Sequence, residues 1–354
     1  MKRSQNSISR RDLLKTTGKS GLVLAALAAP SIISPTRSQA ANRLTVVSYG
    51  GSYGEFIRDG WNKPFTAETG IEVILAEGPD LAKAKAMVQT KNVEWDVFDS
   101  PGSIAIAGSR QNLWEPVDAK VVDASRFVVP AAKDYVPVYI ASGGIAWDPV
   151  RTKKPATDFQ KLWQTASYPG RRGLRKRASE TMEMALIADG VPLDKIYPLD
   201  VERAFKSLDK IKDSVRVWYD QTPQGITLVQ TGECEYTYTF ANRVKVAKES
   251  GISIDFSFDQ NLNAMSYFTV LRGTPRKEAA MRYLEFITRP AQQVRMAEKI
   301  SLVPIAKGAE KLISEAAKKW QPKLNSPQNL FVNDNYWADH FVELDKRFKE
   351  WTLS

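Results

Sequence analysis

The chain of 354 residues contains one cysteine, Cys234, and one histidine, His340. A single cysteine excludes an internal disulfide. With one Cys and one His far apart in the chain, spacing supports neither a Cys/His zinc site nor a Cys–His or Ser–His nucleophile pair, so most histidine-based catalysis is excluded. Low-complexity tracts and internal repeats are also missing after residue 40, and no Ser/Gly/Pro-rich linker divides that region. No apolar run reaches the roughly 20 strongly apolar residues that a membrane-spanning helix needs. What is present is ordinary for a globular protein: 43% hydrophobic and 25% charged residues, at a length that suggests about two domains with sizeable cores.

The formal charge of +10 raises the question of nucleic acid or anionic membrane as a partner. Most of that charge sits in residues 1–40, where Lys2, Arg3, Arg10, Arg11, Lys15, Lys19 and Arg37 face a single acid, Asp12. The one dense basic run elsewhere, Arg171 to Arg177, has no interleaved aromatics of the kind that stack on bases. No nucleic-acid partner is expected. The first forty residues read instead as an address. Ser9-Arg10-Arg11-Asp12-Leu13-Leu14-Lys15 is a paired-arginine motif; a mildly apolar stretch, Gly21–Ile33, and the small-residue end Ser38-Gln39-Ala40 follow it. That order is a twin-arginine export signal with cleavage after Ala40. No cysteine follows to carry a lipid, so the expected product is a soluble, monomeric protein of a bacterial periplasm, folded before export.

After the signal, patterns of period 2 and 3.6 alternate. Arg43–Ser48 reads as a strand, followed by a helix carrying Phe56, Trp61 and Phe65 that ends at Thr69-Gly70. Ile71–Ala76 is the next strand, Ala82–Gln89 a helix, Trp95–Phe98 a buried strand and Ile104–Gln111 a helix. This βαβαβα order predicts a parallel sheet with helices on both faces and a ligand site at the carboxyl ends of its strands. A second alternating region begins near Ala141. It contains an amphipathic helix, Asp200–Lys212, a helix Thr222–Thr231, a strand Glu235–Phe240, a helix Asn242–Ser250, a strand Ile252–Phe258 and a charged helix Arg276–Thr288.

Four segments, in order and spacing, resemble the periplasmic solute-binding proteins of ABC importers, in the branch that includes the spermidine/putrescine-binding proteins. They are Ser48-Tyr49-Gly50-Gly51-Ser52-Tyr53, Trp95-Asp96-Val97-Phe98-Asp99-Ser100, Tyr135–Val138 leading to Gly143–Trp147, and Gln230–Glu233 running into Tyr238–Asn242. Phe331-Val332-Asn333-Asp334 is similar to that family's carboxyl-terminal segment. The resemblance implies a type II periplasmic-binding-protein fold: two α/β lobes, each a mainly parallel sheet flanked by helices, joined by crossing hinge strands and closing on one ligand. Lobe 1 would be residues 41–139 plus 265–303, lobe 2 residues 140–264 plus 304–354. Such a protein delivers a small solute to a membrane permease, catalyses nothing and carries no cofactor or metal.

In the polyamine-binding branch, ammonium groups meet carboxylates while the methylene chain lies between aromatic faces. Here Glu180 falls where those proteins keep a glutamate, but Arg177 stands in place of an aspartate, and Ala264 and Ser266 in place of a tryptophan and an aspartate. A guanidinium beside a glutamate suits a zwitterion, with Arg177 for a carboxylate and Glu180 for an ammonium. The expected ligand is therefore an amine-containing solute, either a polyamine or an ω-amino acid such as γ-aminobutyrate. The alternative assigns Arg177 to a surface run and Glu180 to the first turn of a helix, where it complements the dipole.

Tyr49, Gly51, Ser52 and Tyr53 form the strongest loop candidate, because glycine permits close backbone approach and Ser52 precedes a helix. Asp99, Ser100 and Ser103 lie on the next strand-to-helix loop, where Ser100 alternatively serves as a helix cap. Phe240 and Trp218, beside Tyr219, are candidate walls or core residues; Met265, Tyr267 and Phe331 complete the set, with Asn333, Tyr336 and Trp337 bordering the cleft or packing in a terminal helix. Two other classes of function compete. Asp99 and Glu180 form the carboxylate pair of a hydrolase reading. Tyr236 and Tyr238, on one side of a strand, suggest iron(III) binding, but the sole histidine is His340.

Overall fold

The computed structural model describes residues 43–354. The paired-arginine motif, the apolar stretch and the cleavage site after Ala40 lie outside the described residues. No helix among the described residues is long and apolar enough to cross a membrane.

The chain opens with β1 (Arg43–Ser48) and α1 (Gly51–Phe56), which continues through a widened turn at Ile57–Asn62 into α2 (Lys63–Thr69). Gly70 ends this helix at φ 71°, the left-handed cap that glycine adopts without a Cβ penalty. Next come β2 (Glu72–Glu77), α3 (Leu81–Thr90), β3 (Val97–Pro101) and α4 (Gly102–Arg110), and then a long strand, β4 (Val136–Trp147). The following half holds α5 (Phe159–Trp163), β5 (Arg172–Arg175), α6 (Ala178–Ala188), α7 (Val201–Ile211), β6 (Val215–Tyr219), α8 (Thr222–Gln230), β7 (Tyr236–Phe240), α9 (Ala241–Glu249) and β8 (Asp255–Phe256). A second long strand, β9 (Leu262–Val270), precedes α10 (Lys277–Ile287), α11 (Pro290–Ile300), β10 (Val303–Pro304), α12 (Ala309–Leu312), α13 (Glu315–Lys318), β11 (Leu330–Phe331) and α14 (Asp334–Trp351). Helix α7 shows how local chemistry sets an element: the Asp200 carboxylate accepts from the Arg203 N–H at its start, and Ala204, Phe205, Leu208 and Ile211 bury one face.

All these strands join one mixed sheet, with the main path β2-β1-β3-β9-β4-β7-β5-β6. β1 pairs in parallel with β2 and β3, and β5 in parallel with β6 and β7, as βαβ connections require. The two parallel sets are bridged by β9 and β4, which pair antiparallel to each other from Val136↔Phe268 to Gly143↔Leu262. Along β4, Val136, Val138 and Ile140 enter one hydrophobic core with Trp61, Phe65, Phe268 and Tyr283, whereas Ile145 and Trp147 enter another with Met182, Phe205, Tyr238 and Phe348. The chain thus passes from one core to the other near Gly143. The expected strand at Ile252–Phe258 is shorter than its pattern suggests, pairing with β4 only at Asp255–Phe256.

Gly143 has no room for a side chain: a Cβ there runs into the ring and hydroxyl of Tyr238, which is buried in the second core. Gly143→Ala is therefore expected to destabilise the protein by about 1–3 kcal/mol, the usual cost of overpacking. Thermal unfolding would show this as a melting temperature lower by several degrees.

Candidate functional site

The parallel strands β1, β3, β5, β6 and β7 all run with their carboxyl ends toward one cleft, where the following loops and helix starts converge. The cleft encloses about 860 Å³ counted out to its open mouth, large enough for a small solute. Tyr53, Tyr139 and Met265 reach it from the first core, with Tyr49 packed against that core, and Trp337 from the second; Pro101, Ser103, Arg175, Arg177, Ser179, Glu180 and Phe240 also line it. Thr222 opens α8, Asn242 and Arg243 lie in the first turn of α9, and Asp334 starts α14.

Three guanidinium groups face this space. Arg175 is paired with Glu180, Nη1 to Oε2 at 2.6 Å, and lies over the Phe240 ring at 5.6 Å. Arg177 donates from Nε to Ser179 Oγ at 2.6 Å and stacks on Phe341 at 4.6 Å. Neither Arg177 nor Arg243 has a carboxylate within ion-pair distance among the described residues. Burial, with Arg175 nearby, pulls both of their pKa values down. On the acidic side, Asp334 lies against Gly102 at the start of α4, and burial pushes its carboxyl up to about 7 against a hydrogen bond from the Ser103 N–H. The tyrosine wall is set from behind. The fully buried Asp99 accepts from Tyr53 Oη at 2.8 Å and from Ser48 Oγ at 2.5 Å.

Of the residues singled out from sequence, Tyr49, Tyr53, Ser103, Arg177, Glu180, Phe240 and Met265 line the cleft together, with Trp337 beside them. Gly51, Ser52, Asp99, Ser100, Trp218, Tyr267 and Phe331 do not. Gly51, at φ 69°, starts α1 and leaves space beside it for the Arg243 guanidinium. Ser52 falls inside α1 and not before it. Ser100 ends up within β3 with a buried, unpartnered hydroxyl, and Pro101 occupies the cap position of α4. Trp218 meets Phe348 and Trp351 edge-on at 5.5 Å, Tyr267 packs on Tyr135 at 5.0 Å, and Phe331 is 44% exposed. Asn333 caps α14, and Tyr336 packs against Tyr197 and His340. Tyr219, Tyr236 and Tyr238 are buried core residues. Asp99 sits behind Tyr53, so it does not face the cleft beside Glu180.

The basic run is not a surface stripe. Arg171 pairs with Glu235 outside, Arg172 is buried and donates to the carbonyls of Leu162 and Tyr168, and Arg175 and Arg177 point to the cleft. Glu180 does not sit in a regular first helical turn either: its backbone has φ 73° and ψ −42°. Arg175, Arg243, Tyr139 and Asp334 were not among the candidates. Arg175 was within reach of the alternation argument, since it stands two positions before Arg177 on an extended segment.

The model of the bacterial extracellular solute-binding protein family matches residues 61–325. The chain is 30% identical over 320 residues to the gamma-aminobutyric acid-binding protein of Pseudomonas aeruginosa, covering 87% of this chain and 90% of the relative. It is 24% identical over 277 residues to the spermidine/putrescine-binding periplasmic protein of Escherichia coli, covering 74% and 78%. Among solved structures, a GABA receptor superposes with a TM-score of 0.82 at 31% identity, covering 88% of this chain and 98% of that one. The chain belongs to the bacterial extracellular solute-binding proteins and has their type II fold, that of the solute-binding component of an ABC importer.

Proposed function

We propose that this protein binds a small zwitterion, an ω-amino acid of the γ-aminobutyrate type, and hands it unchanged to a membrane permease after export by the twin-arginine route. The observation that carries this reading is the charge of the cleft: three guanidinium groups, of which only Arg175 is matched by a carboxylate. A polyamine would bring two or more further positive charges to the uncompensated Arg177 and Arg243. A carboxylate satisfies them through paired, charge-assisted hydrogen bonds. The ammonium end then meets Glu180 and Asp334, with the methylene chain between Tyr49, Tyr53 and Phe240.

In this reading one lobe spans residues 41–139 and 265 to about 318, since Ile305 packs in the first core and Ile313 and Ala317 pack on Ala297 of α11. The other holds residues 140–264 and the rest. The Arg110–Asp339 ion pair and the Lys245 ammonium on the carbonyls of Glu298 and Lys299 then cross the cleft's two flanks as closing contacts. A monomer is sufficient, because one chain supplies every wall.

Differential scanning fluorimetry of residues 41–354 tests the ligand class. At 100 times its dissociation constant a ligand specific for the folded state adds about 2.7 kcal/mol. γ-Aminobutyrate is expected to raise the melting temperature by a few degrees, and putrescine and spermidine to leave it unchanged. A shift with the polyamines alone would overturn the proposal.

A further inference from the structure

Glu180 is one of four non-glycine residues with positive φ among the described residues, and the one that faces the cleft. Its backbone, at φ 73° and ψ −42°, lies where residues with a Cβ persist only when neighbours hold them. What holds it is Glu183, one turn into α6. The Glu183 Oε2 accepts the Glu180 N–H at 2.8 Å, while its Oε1 accepts from Tyr197 Oη and from Trp337 Nε1, both at 2.5 Å. Tyr197 Oη in turn accepts the Asn333 N–H at 3.0 Å. Glu183 is fully buried, makes no ion pair with any described residue, and is not itself part of the cleft wall.

A buried carboxylate without a cation is costly and persists when something else depends on it. Here two cleft-lining residues, Glu180 on one side and Trp337 on the other, are joined through it. We propose that Glu183 is a positioning residue for ligand binding, fixing Glu180 in its cleft-facing conformation and tying it to Trp337 at the start of α14. The ionised form does this, with both oxygens accepting. A glutamine carries a single acceptor oxygen, and its NH2 group must then meet another donor.

The inference rests on Glu180 facing the ligand's ammonium, so its test has a ligand-free arm. In a crystal structure of ligand-free Glu183→Gln, residue 180 is expected to leave the positive-φ region and part from Arg175. If Glu180 stays as it is, the proposal is wrong whatever the ligand. In the binding arm, titration calorimetry with γ-aminobutyrate is expected to show roughly tenfold weaker binding for Glu183→Gln. Butyrate, which lacks the ammonium, should be unaffected, and no further loss should appear when Glu183→Gln is added to Glu180→Gln. Equal losses for both ligands, or full additivity with Glu180→Gln, would make Glu183 merely structural. Tyr197→Phe removes one hydrogen bond to Glu183 without touching the cleft; it should move both arms in the same direction, and it replaces Glu183→Gln if that variant does not fold. Failure of γ-aminobutyrate to bind the unaltered protein would count against the ligand class and leave the crystallographic arm to decide.

Discussion

Replacing Arg177 or Arg243 by methionine is expected to weaken γ-aminobutyrate binding by about thirtyfold or more in each case, while the ligand-free protein melts no lower than before. Truncating one partner of a buried, hydrogen-bonded charge pair costs about 2–5 kcal/mol, which is one to several decades in affinity. In the ligand-free protein the balance is different. Each guanidinium is partly withdrawn from water with no carboxylate partner among the described residues, and burial already weakens its hold on the proton. Methionine keeps much of the apolar stem without the desolvated charge. Arg177 gives up its hydrogen bond to Ser179 and its stack on Phe341, which are modest beside that relief. Arg175→Met should behave in the opposite way toward stability, because it strands Glu180, a buried carboxylate paired at 2.6 Å. Calorimetry and thermal melts on the three variants separate these roles. Normal binding by Arg177→Met together with Arg243→Met would remove the carboxylate site from the proposed reading.

The parts of the site that were legible in sequence are those carried by short contiguous motifs at the ends of strands. Tyr49 and Tyr53 follow β1, Ser103 follows β3, Arg177 and Glu180 follow β5, and Phe240 closes β7; each is fixed by its distance from a strand end. Tyr139 depends instead on how β9 and β4 cross between the cores, which is a long-range pairing with no local signature. Alternation alone does not tell which face of such a strand meets the cleft and which meets a core. Trp218 illustrates the reverse error: an aromatic near a strand end looks like a wall until α14 arrives from more than a hundred residues away and covers it with Phe348 and Trp351. The pairing of Arg175 with Glu180 was hidden for a different reason. The positive φ of Glu180 turns its side chain back toward β5, and nothing in the residue types announces a conformation that glutamate rarely adopts.

Ligand-free stability is expected to fall as the pH rises from about 4.5 to 7.5. Three acids set the sign, Asp99 and Glu183 fully buried and Asp334 half-buried. Asp99, Glu183 and Asp334 each have their carboxyl pushed up to about 7, in every case chiefly by burial. The Asp99 Oδ1 has no hydrogen-bond partner among the described residues, so nothing on that side offsets its ionisation. In the unfolded chain these groups titrate near 4. Between the two values the folded state binds more protons, so the stability they contribute is complete below about 4 and is lost as the pH climbs through about 7. Carboxylates with lowered values, such as Asp148, Asp189 and Glu235, act in the other direction, but their stabilisation is lost only at still lower pH. Melts across this window should therefore descend by several degrees; a flat or rising profile would show that these acids are charged at no cost. With γ-aminobutyrate present the descent should be shallower. An ammonium beside Asp334 favours its ionised form, so binding releases a proton and tightens with pH up to about 7. Butyrate supplies the carboxylate for Arg177 and Arg243 without the ammonium, and its stabilisation should weaken over the same range. The difference between the two ligands then reports the Asp334 end of the cleft directly.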